Sequence, residues 1–417
     1  MTTPRSNPPA PLNLTVAVHD PARRRALKLV GAGALGAALS QVAGGIAFAA
    51  DAEPLKIGLI VTYSGPYADY GKQMDNGIAL WLKQNGERVA GRAVEIVRRD
   101  TAGPAPDLAA RFARELITRD KVQVIIGLDF SPNAMAIAPV LSQAKVPCII
   151  LNASASDIPK KSDYIARISF TVGQVSAPMG TWAGRQGIRT AMTVVADYSS
   201  GADAETAFKT TFEAGGGKVV DSLRVPMNNP DFSAYVQRIK DTRPEAVFFF
   251  FPSGDLPNNF LKAAKERGLA EAGIRLLATG EAMDDSYMQA AGDAGLGLIT
   301  THHYSTAHES DLNRKFIAGY AADNGDYAPN YMAMTAYDGM AVLDKALTAT
   351  GGKTDGATLM GALKGLSIES PRGPIEIGDK TRDIIQTVYV RRTERLENGK
   401  LACIEFDKFE KVQDPRA

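Results

Sequence analysis

Short apolar runs alternate with segments of helical period from about residue 55 onward. Leu55, Ile57, Leu59, Ile60 and Val61 form the first run, of the kind a buried strand needs. A loop with Ser64, Gly65 and Pro66 between Tyr63 and Tyr67 follows, and Met74, Ile78, Trp81 and Leu82 then recur at helical spacing. Strand, loop and helix are the first half of a βαβ unit. In open α/β sheets small ligands bind outside the carboxyl ends of the strands, so the Tyr63 loop is a candidate binding element. The same rhythm continues through a strand at Val94–Val97, a helix over Asp107–Arg119, a strand at Val122–Ile126, a helix from Pro132 capped by Ser131, and a strand at Val146–Leu151. The last strand runs into a loop of small polar residues, Asn152–Asp157.

A second set restarts near Trp182. Strands are predicted at Thr190–Val195, Lys218–Val225, Ala246–Phe251, Ile274–Ala278 and Gly297–Thr301, with helices between the earlier ones. Loops carrying Tyr198 and Glu281 follow two of these strands. Strands alternating with helices predict a parallel sheet with helices on both faces, built twice. Leu312–Leu366 reads as mainly helical, and Pro374–Ile377 and Gln386–Arg392 as two late strands. In the second of these, Thr387, Tyr389 and Arg391 alternate with Val388 and Val390, which predicts one solvated face.

The chain of 417 residues is long enough for two domains. Its first 49 residues differ from the rest. Arg23, Arg24, Arg25 and Lys28 precede an uncharged Gly/Ala-rich segment that ends in Ala47-Phe48-Ala49. Basic region, apolar region and small-residue cleavage site predict a secretory signal over 1–49, cut near Ala49, with twin-arginine character. Gly31-Ala32-Gly33-Ala34-Leu35-Gly36 matches a dinucleotide fingerprint literally, but no strand precedes it and no βαβ unit surrounds it. Without the leader, 42 basic and 45 acidic residues remain, so charge offers no case for nucleic acid or an anionic membrane.

Only Cys148 and Cys403 occur, which excludes a disulfide framework and leaves a single bridge open. Cys148 lies in an apolar run and reads as a buried thiol. His302, His303 and His308 are the histidines after the leader. Adjacent histidines on a strand point to opposite faces, and no cysteine or H-E-x-x-H pattern joins them, so no metal site is expected. Neither a nucleophile elbow nor a phosphate-binding loop is present, and no carboxylate pair is singled out for acid–base work. The expectation is a protein that is not an enzyme and carries no cofactor.

Several segments, in order, resemble one family: KIGLIVTYSGPYADYG, VIIGLDFSPNA, VPCIILNASASDI, VVADYSSGAD, PDFSAYVQRIKDTRPEAVFFF, TGEAMDD and AYDGMAVLDKAL, spread over residues 55–395. They resemble the type I periplasmic solute-binding proteins of branched-chain amino acid ABC importers. The resemblance implies an α/β fold of two Rossmann-like lobes joined by a three-crossing hinge. The lobes would be 54–172 plus 305–370 and 173–304 plus 371–417, with crossings near Thr171–Val175, His302–Ala307 and Ser370–Gly373. It also implies a periplasmic monomer that captures a small carboxylate-bearing solute in the cleft, closes, and docks on an inner-membrane permease.

Site residues follow from the same resemblance. Ser131, with Ala153, Ser154 and Ala155, falls where the ligand carboxylate is held; a helix start with free N–H groups suits an anion. Tyr198 falls near the tyrosine that reaches in from the second lobe, and Glu281 on the acid that pairs with an amino acid's ammonium. The sequence departs from the pattern at Pro132, which removes one amide donor, and at Ala282, where glycine is common. Tyr63, Tyr67, Phe130, Tyr198 and Phe250 would make the cleft unusually aromatic. The wording also resembles a subgroup linked to aromatic carboxylates, for which Arg167 and Gln174 become further candidate contacts. An amino acid receptor, an aromatic-acid receptor and a ligand sensor all remain open at this point.

Overall fold

The computed structural model describes residues 53–416, so the expected leader over 1–49 lies outside the described residues. The first half of the chain lays down β1 (Leu55–Val61), α1 (Ala68–Gln84), β2 (Arg88–Val89), β3 (Arg92–Asp100), α2 (Pro106–Thr118), β4 (Val124–Gly127), α3 (Ser131–Ala144), β5 (Cys148–Ile150) and β6 (Ile165–Arg167). These strands make one six-stranded sheet in the order β2-β3-β1-β4-β5-β6, parallel except for the short β2. Every residue of β4 and β5 is buried, as strands covered on both faces must be.

The second set contains α4 (Val172–Arg185), β7 (Thr190–Ala196), α5 (Ser199–Ala214), β8 (Lys218–Val225), α6 (Phe232–Thr242), β9 (Ala246–Phe250), α7 (Asp255–Glu266), β10 (Arg275–Thr279) and β11 (Ile299–His302). Then come α8 (Asp311–Asn324), α9 (Tyr331–Ala349), α10 (Gly356–Leu363), β12 (Ser367–Ile368), β13 (Ile375–Ile377), β14 (Ile384–Arg395) and β15 (Leu401–Val412). The second sheet runs β12-β13-β14-β11-β10-β9-β7-β8, with β15 paired to β14. Helices α8 to α10 return to the first lobe, where Met340, Leu343, Leu347 and Leu359 share a core with Ile57, Leu59 and Trp81. The sequence reading assigns 371–417 to the second lobe. Ile375, Ile377, Ile384 and Val388 nonetheless pack in the first core, while Val390 packs in the second.

Three details differ from the sequence reading. The second sheet is mixed, because β14 runs antiparallel to both β11 and β15. The twelve-residue β15 was not expected: beyond Leu401, Ala402 and Cys403 it is mostly exposed and charged, and only its pairing to β14 makes it a strand. Nor does β14 have a solvated face at Tyr389 and Arg391, which are both buried. Arg391 is consumed by Thr300 Oγ1 at 3.2 Å and by the carbonyls of Tyr304 and Gly280. The two cysteines are free and buried, which answers the question of a bridge between them.

Buried arginines tie the chain together where it passes between lobes. Arg372 donates to the carbonyls of Ile168 and Ser169 at 2.6 and 2.9 Å, to Gln386 Oε1 at 2.7 Å, and pairs with Asp338 of α9 at 3.0 Å. One side chain thus joins the segment after β6, helix α9 and strand β14. Removing one partner of a buried ion pair leaves the other charge uncompensated. Arg372→Ala should therefore lower unfolding free energy by about 3–5 kcal/mol, read from the urea midpoint at unchanged slope.

Candidate functional site

The site begins with two helix starts. The loop after β4 leaves the strand through Gly127 at φ 108° and Leu128 at φ 59°, a left-handed turn that brings Asp129 and Phe130 to the head of α3. Its shape is held by Leu128 N–H donating to Ile60 O at 2.7 Å and by Ala153 N–H donating to Leu128 O at 2.8 Å. In the other lobe, Tyr198 precedes α5 with extended backbone. A Cβ on Gly201 would stand 1.9 Å from Ala196 O, so only glycine lets α5 start so close to the end of β7. The two starts meet: Ser131 Oγ lies 3.0 Å from Ser200 Oγ, and Ser154 Oγ lies 3.4 Å from it.

Ser131 does not cap its own helix. Its hydroxyl accepts instead from Ala155 N–H at 3.0 Å, which binds the loop after β5 to the head of α3. Arg167 holds that loop from behind, donating to Ala153 O at 3.0 Å and Ala155 O at 2.7 Å while paired with Asp383. Arg167 is thus a support for the loop, not a wall of the cavity. Gln174 is likewise turned away, toward the carbonyls of Ile384 and Val412.

Around the serines is a small cavity between the lobes. Tyr70, Phe130, Phe170, Tyr198, Phe250 and Tyr331 supply its aromatic faces, and Asp129, Asn152 and Glu281 its other polar groups. Among the candidates read from sequence, Ser131, Ser154, Tyr198 and Glu281 line it together. Ala153 and Ala155 lie behind it and take part through their backbone. Tyr63 lies outside the lining; its N–H donates to Asp100 Oδ1 at 2.8 Å and its ring packs against Gly71. Sequence reasoning missed Tyr70, Phe170, Ser200 and Tyr331 as lining residues. Ser200 stood within the quoted VVADYSSGAD segment, whereas Tyr331 comes from a helix that reaches the cleft only through tertiary packing.

Contacts between lobes close over this cavity. Tyr70 OH donates to Ser253 O at 2.8 Å, Ser253 Oγ lies 3.2 Å from Tyr331 OH, and Asn330 Nδ2 donates to both Asp284 oxygens at 3.1 and 3.0 Å. Ser286 Oγ adds a bond to Asp69 Oδ2 at 3.1 Å. A larger depression elsewhere on the second lobe, lined by Trp182, Leu261, Leu269, Leu277 and Leu298, contains no hydroxyl or amide side chain. The interlobe cavity gathers hydroxyl, amide and carboxyl side chains from both lobes.

Glu281 sits in a short helical turn after β10, fully buried. A Cβ on the preceding Gly280 would lie 2.3 Å from both His302 and Arg391, so glycine admits both side chains beside the carboxyl. Glu281 Oε2 stands 3.8 Å from His302 Nε2. The rings of His302 and His303 are 4.3 Å apart and both buried, not on opposite faces, because the strand ends at His302. No cluster capable of holding a metal occurs among the described residues. Burial pushes the Glu281 carboxyl up to about 7, against the charge of Arg391, and pushes both imidazoles well below their usual value.

Comparison with known proteins places this geometry in context. The model of the family described as "Periplasmic binding protein" matches residues 54–400. A Leu/Ile/Val-binding protein homolog 6 from Brucella abortus is 40% identical over 370 residues, 88% of this chain and 95% of the relative. A solute-binding protein of an ABC transporter from Rhodopseudomonas palustris BisB5, solved with 3,4-dihydroxybenzoic acid, is 46% identical with a TM-score of 0.84, covering 87% of this chain and 99% of that one. A second R. palustris solute-binding protein, solved with 4-hydroxybenzoate, is 41% identical with a TM-score of 0.84 and the same coverage.

The raised Glu281 carboxyl has a consequence for stability. Between its usual 4.5 and about 7 the folded state holds a proton that the unfolded state has lost, so Glu281 contributes stability at low pH that disappears as pH rises through about 7. The buried neutral histidines act oppositely, costing stability as pH falls below 6.5. The difference between wild type and Glu281→Gln isolates the first effect. The melting temperature of the wild type relative to this variant should fall by several degrees from about pH 5 to about pH 8, measured by differential scanning fluorimetry.

Proposed function

Because this chain belongs to the periplasmic binding protein family, the solute receptors of ABC transporters, we propose that its interlobe cavity captures an aromatic carboxylate for import. The observation that carries this reading is the meeting of two helix starts, one from each lobe, at Ser131 and Ser200. Each start directs the positive end of its helix and a hydroxyl at the same point, and a carboxylate is the group such a point favours. The faces of Phe130, Tyr198 and Phe250 beside the serines suit a ring better than an aliphatic chain. Relatives solved with hydroxybenzoates support the same ligand class.

The ligand carboxylate replaces the direct Ser131–Ser200 contact and accepts from those hydroxyls, from Ser154 and from the amides at the head of α5. Pro132 removes one amide from the head of α3, so the hydroxyls carry more of the load there. The ligand bridges the lobes and favours the closed arrangement over an open one, since only the closed form presents both helix starts. Export by the leader, with cleavage near Ala49, and docking of the closed form on a membrane permease complete the proposal. No bond is made or broken.

The Leu/Ile/Val-binding relatives favour a second reading, in which Glu281 meets an ammonium. A thermal-shift comparison separates the two. Benzoate-type acids at a hundred times their dissociation constant should stabilise the protein by about 2.7 kcal/mol, and leucine at equal concentration should not. A shift with leucine alone would transfer the assignment to amino acids. Ser131→Ala should weaken the aromatic acid by about 10-fold or more by titration calorimetry, because a hydrogen bond to a charged group is lost.

A further inference from the structure

The tail that follows β15 crosses the seam between the lobes. Strand β15 belongs to the second sheet, and Val412 O at its end accepts from Gln174 Nε2 at 2.6 Å. Two residues on, Asp414 is buried at the head of α4. A Cβ on Gly173 there would stand 3.4 Å from Asp414 Oδ2 and 3.3 Å from Pro415. A carboxylate is favoured at the start of a helix, so the tail is anchored at this point. Asp414 Oδ1 also accepts from Arg416 N–H at 2.7 Å, a local turn that sets the direction of Arg416.

From this anchor Arg416 reaches both lobes. Its guanidinium pairs with Asp203 of α5 at 2.7 Å and stands 4.0 Å from Asp157, on the loop after β5. Its carbonyl accepts from Lys160 Nζ, in the same segment between β5 and β6. Asp203 is itself a point where the lobes touch, since its Oδ2 accepts from Ser156 N–H at 3.0 Å. Ser156 follows Ala155, whose amide binds Ser131, and Asp203 lies on the first turns of α5 beyond Ser200. The tail thus lies over the seam that holds the cavity, yet none of its residues lines that cavity. Asp157 and Asp203 carry like charge on opposite lobes, so closing brings two repelling carboxylates together. Arg416 stands between them and reverses the sign of the interaction.

We propose that the tail, Asp414 to Arg416, is a clasp that holds the lobes closed, with Arg416 as its cation. Opening must part Asp203 from Ser156, and Arg416 from Asp157 and Lys160. The clasp therefore favours the closed form before any solute arrives and slows release afterwards. It acts whichever solute the cavity takes, because it touches none of the lining.

Single-molecule energy transfer between dyes on exposed positions, one in each lobe, tests this in the protein without added solute. In Arg416→Ala the ratio of closed to open molecules should fall about 2- to 5-fold, the range of an exposed ion pair. Adding Asp157→Asn to that variant should restore much of the ratio, because the repelling charge is gone. Raising salt should move the wild type toward the Arg416→Ala value with no substitution at all. An equal ratio in wild type and Arg416→Ala would overturn the clasp, as would a wild type with no closed population. A loss that neither Asp157→Asn repairs nor salt reproduces would overturn the role of the Arg416 charge.

Discussion

The buried fork of Arg167 with Asp383 is the constraint on which the cleft depends. Arg167 is fully inaccessible, and a guanidinium in that position is tolerable only when its donors are consumed. Asp383 takes two of them, and the carbonyls of Ala153 and Ala155 take more. These two carbonyls belong to the loop whose amide binds Ser131. The ion pair, the loop and the head of α3 are therefore one rigid piece. Arg372 likewise joins the segment after β6 to α9 and β14. Buried hydrogen-bond networks of this kind confer rigidity on the segments they join.

Each lobe supplies part of the cavity lining. The first contributes Ser131, Ser154 and the faces of Tyr70 and Phe130; the second contributes Ser200, Tyr198 and Phe250. Opening the lobes would separate the two helix starts and expose both sets of groups to water. Binding free energy gained only in the closed arrangement is what biases such a molecule toward closure. The contacts of Asn330 with Asp284 and of Tyr70 with Ser253 join the two lobes in this closed arrangement.

Much of this was legible in the chain. Hydrophobic runs at Leu55–Val61, Thr190–Ala196 and Ala246–Phe250 announce buried strands, since a strand covered on both faces has no polar face to display. The small-residue loop Asn152–Asp157 and the head of the helix at Ser131-Pro132 were recognisable because turn residues and a proline in the first helical turn are local signals, although Ser131 does not act as the cap expected of it. The strand β15 was not, because charged, exposed residues carry no period once the partner strand supplies the ordering. Arg391 looked like a solvated position by alternation and is buried because β14 lies between two strands and under the Gly280 turn.

The division has a physical basis. Sequence by itself determined the class of fold, the doubled βα rhythm and the loops that end at the strand termini, all of which follow from local periodicity and turn propensity. Tertiary structure decided which of those loops meet. It brought Ser131 to Ser200 across 69 positions of chain, carried Tyr331 into the cleft from a distant helix, and left Tyr63 on the far side of its own loop. It also set Glu281 beside His302 with no donor between them. Contacts between residues remote in sequence depend on how two lobes pack, and no local pattern encodes that.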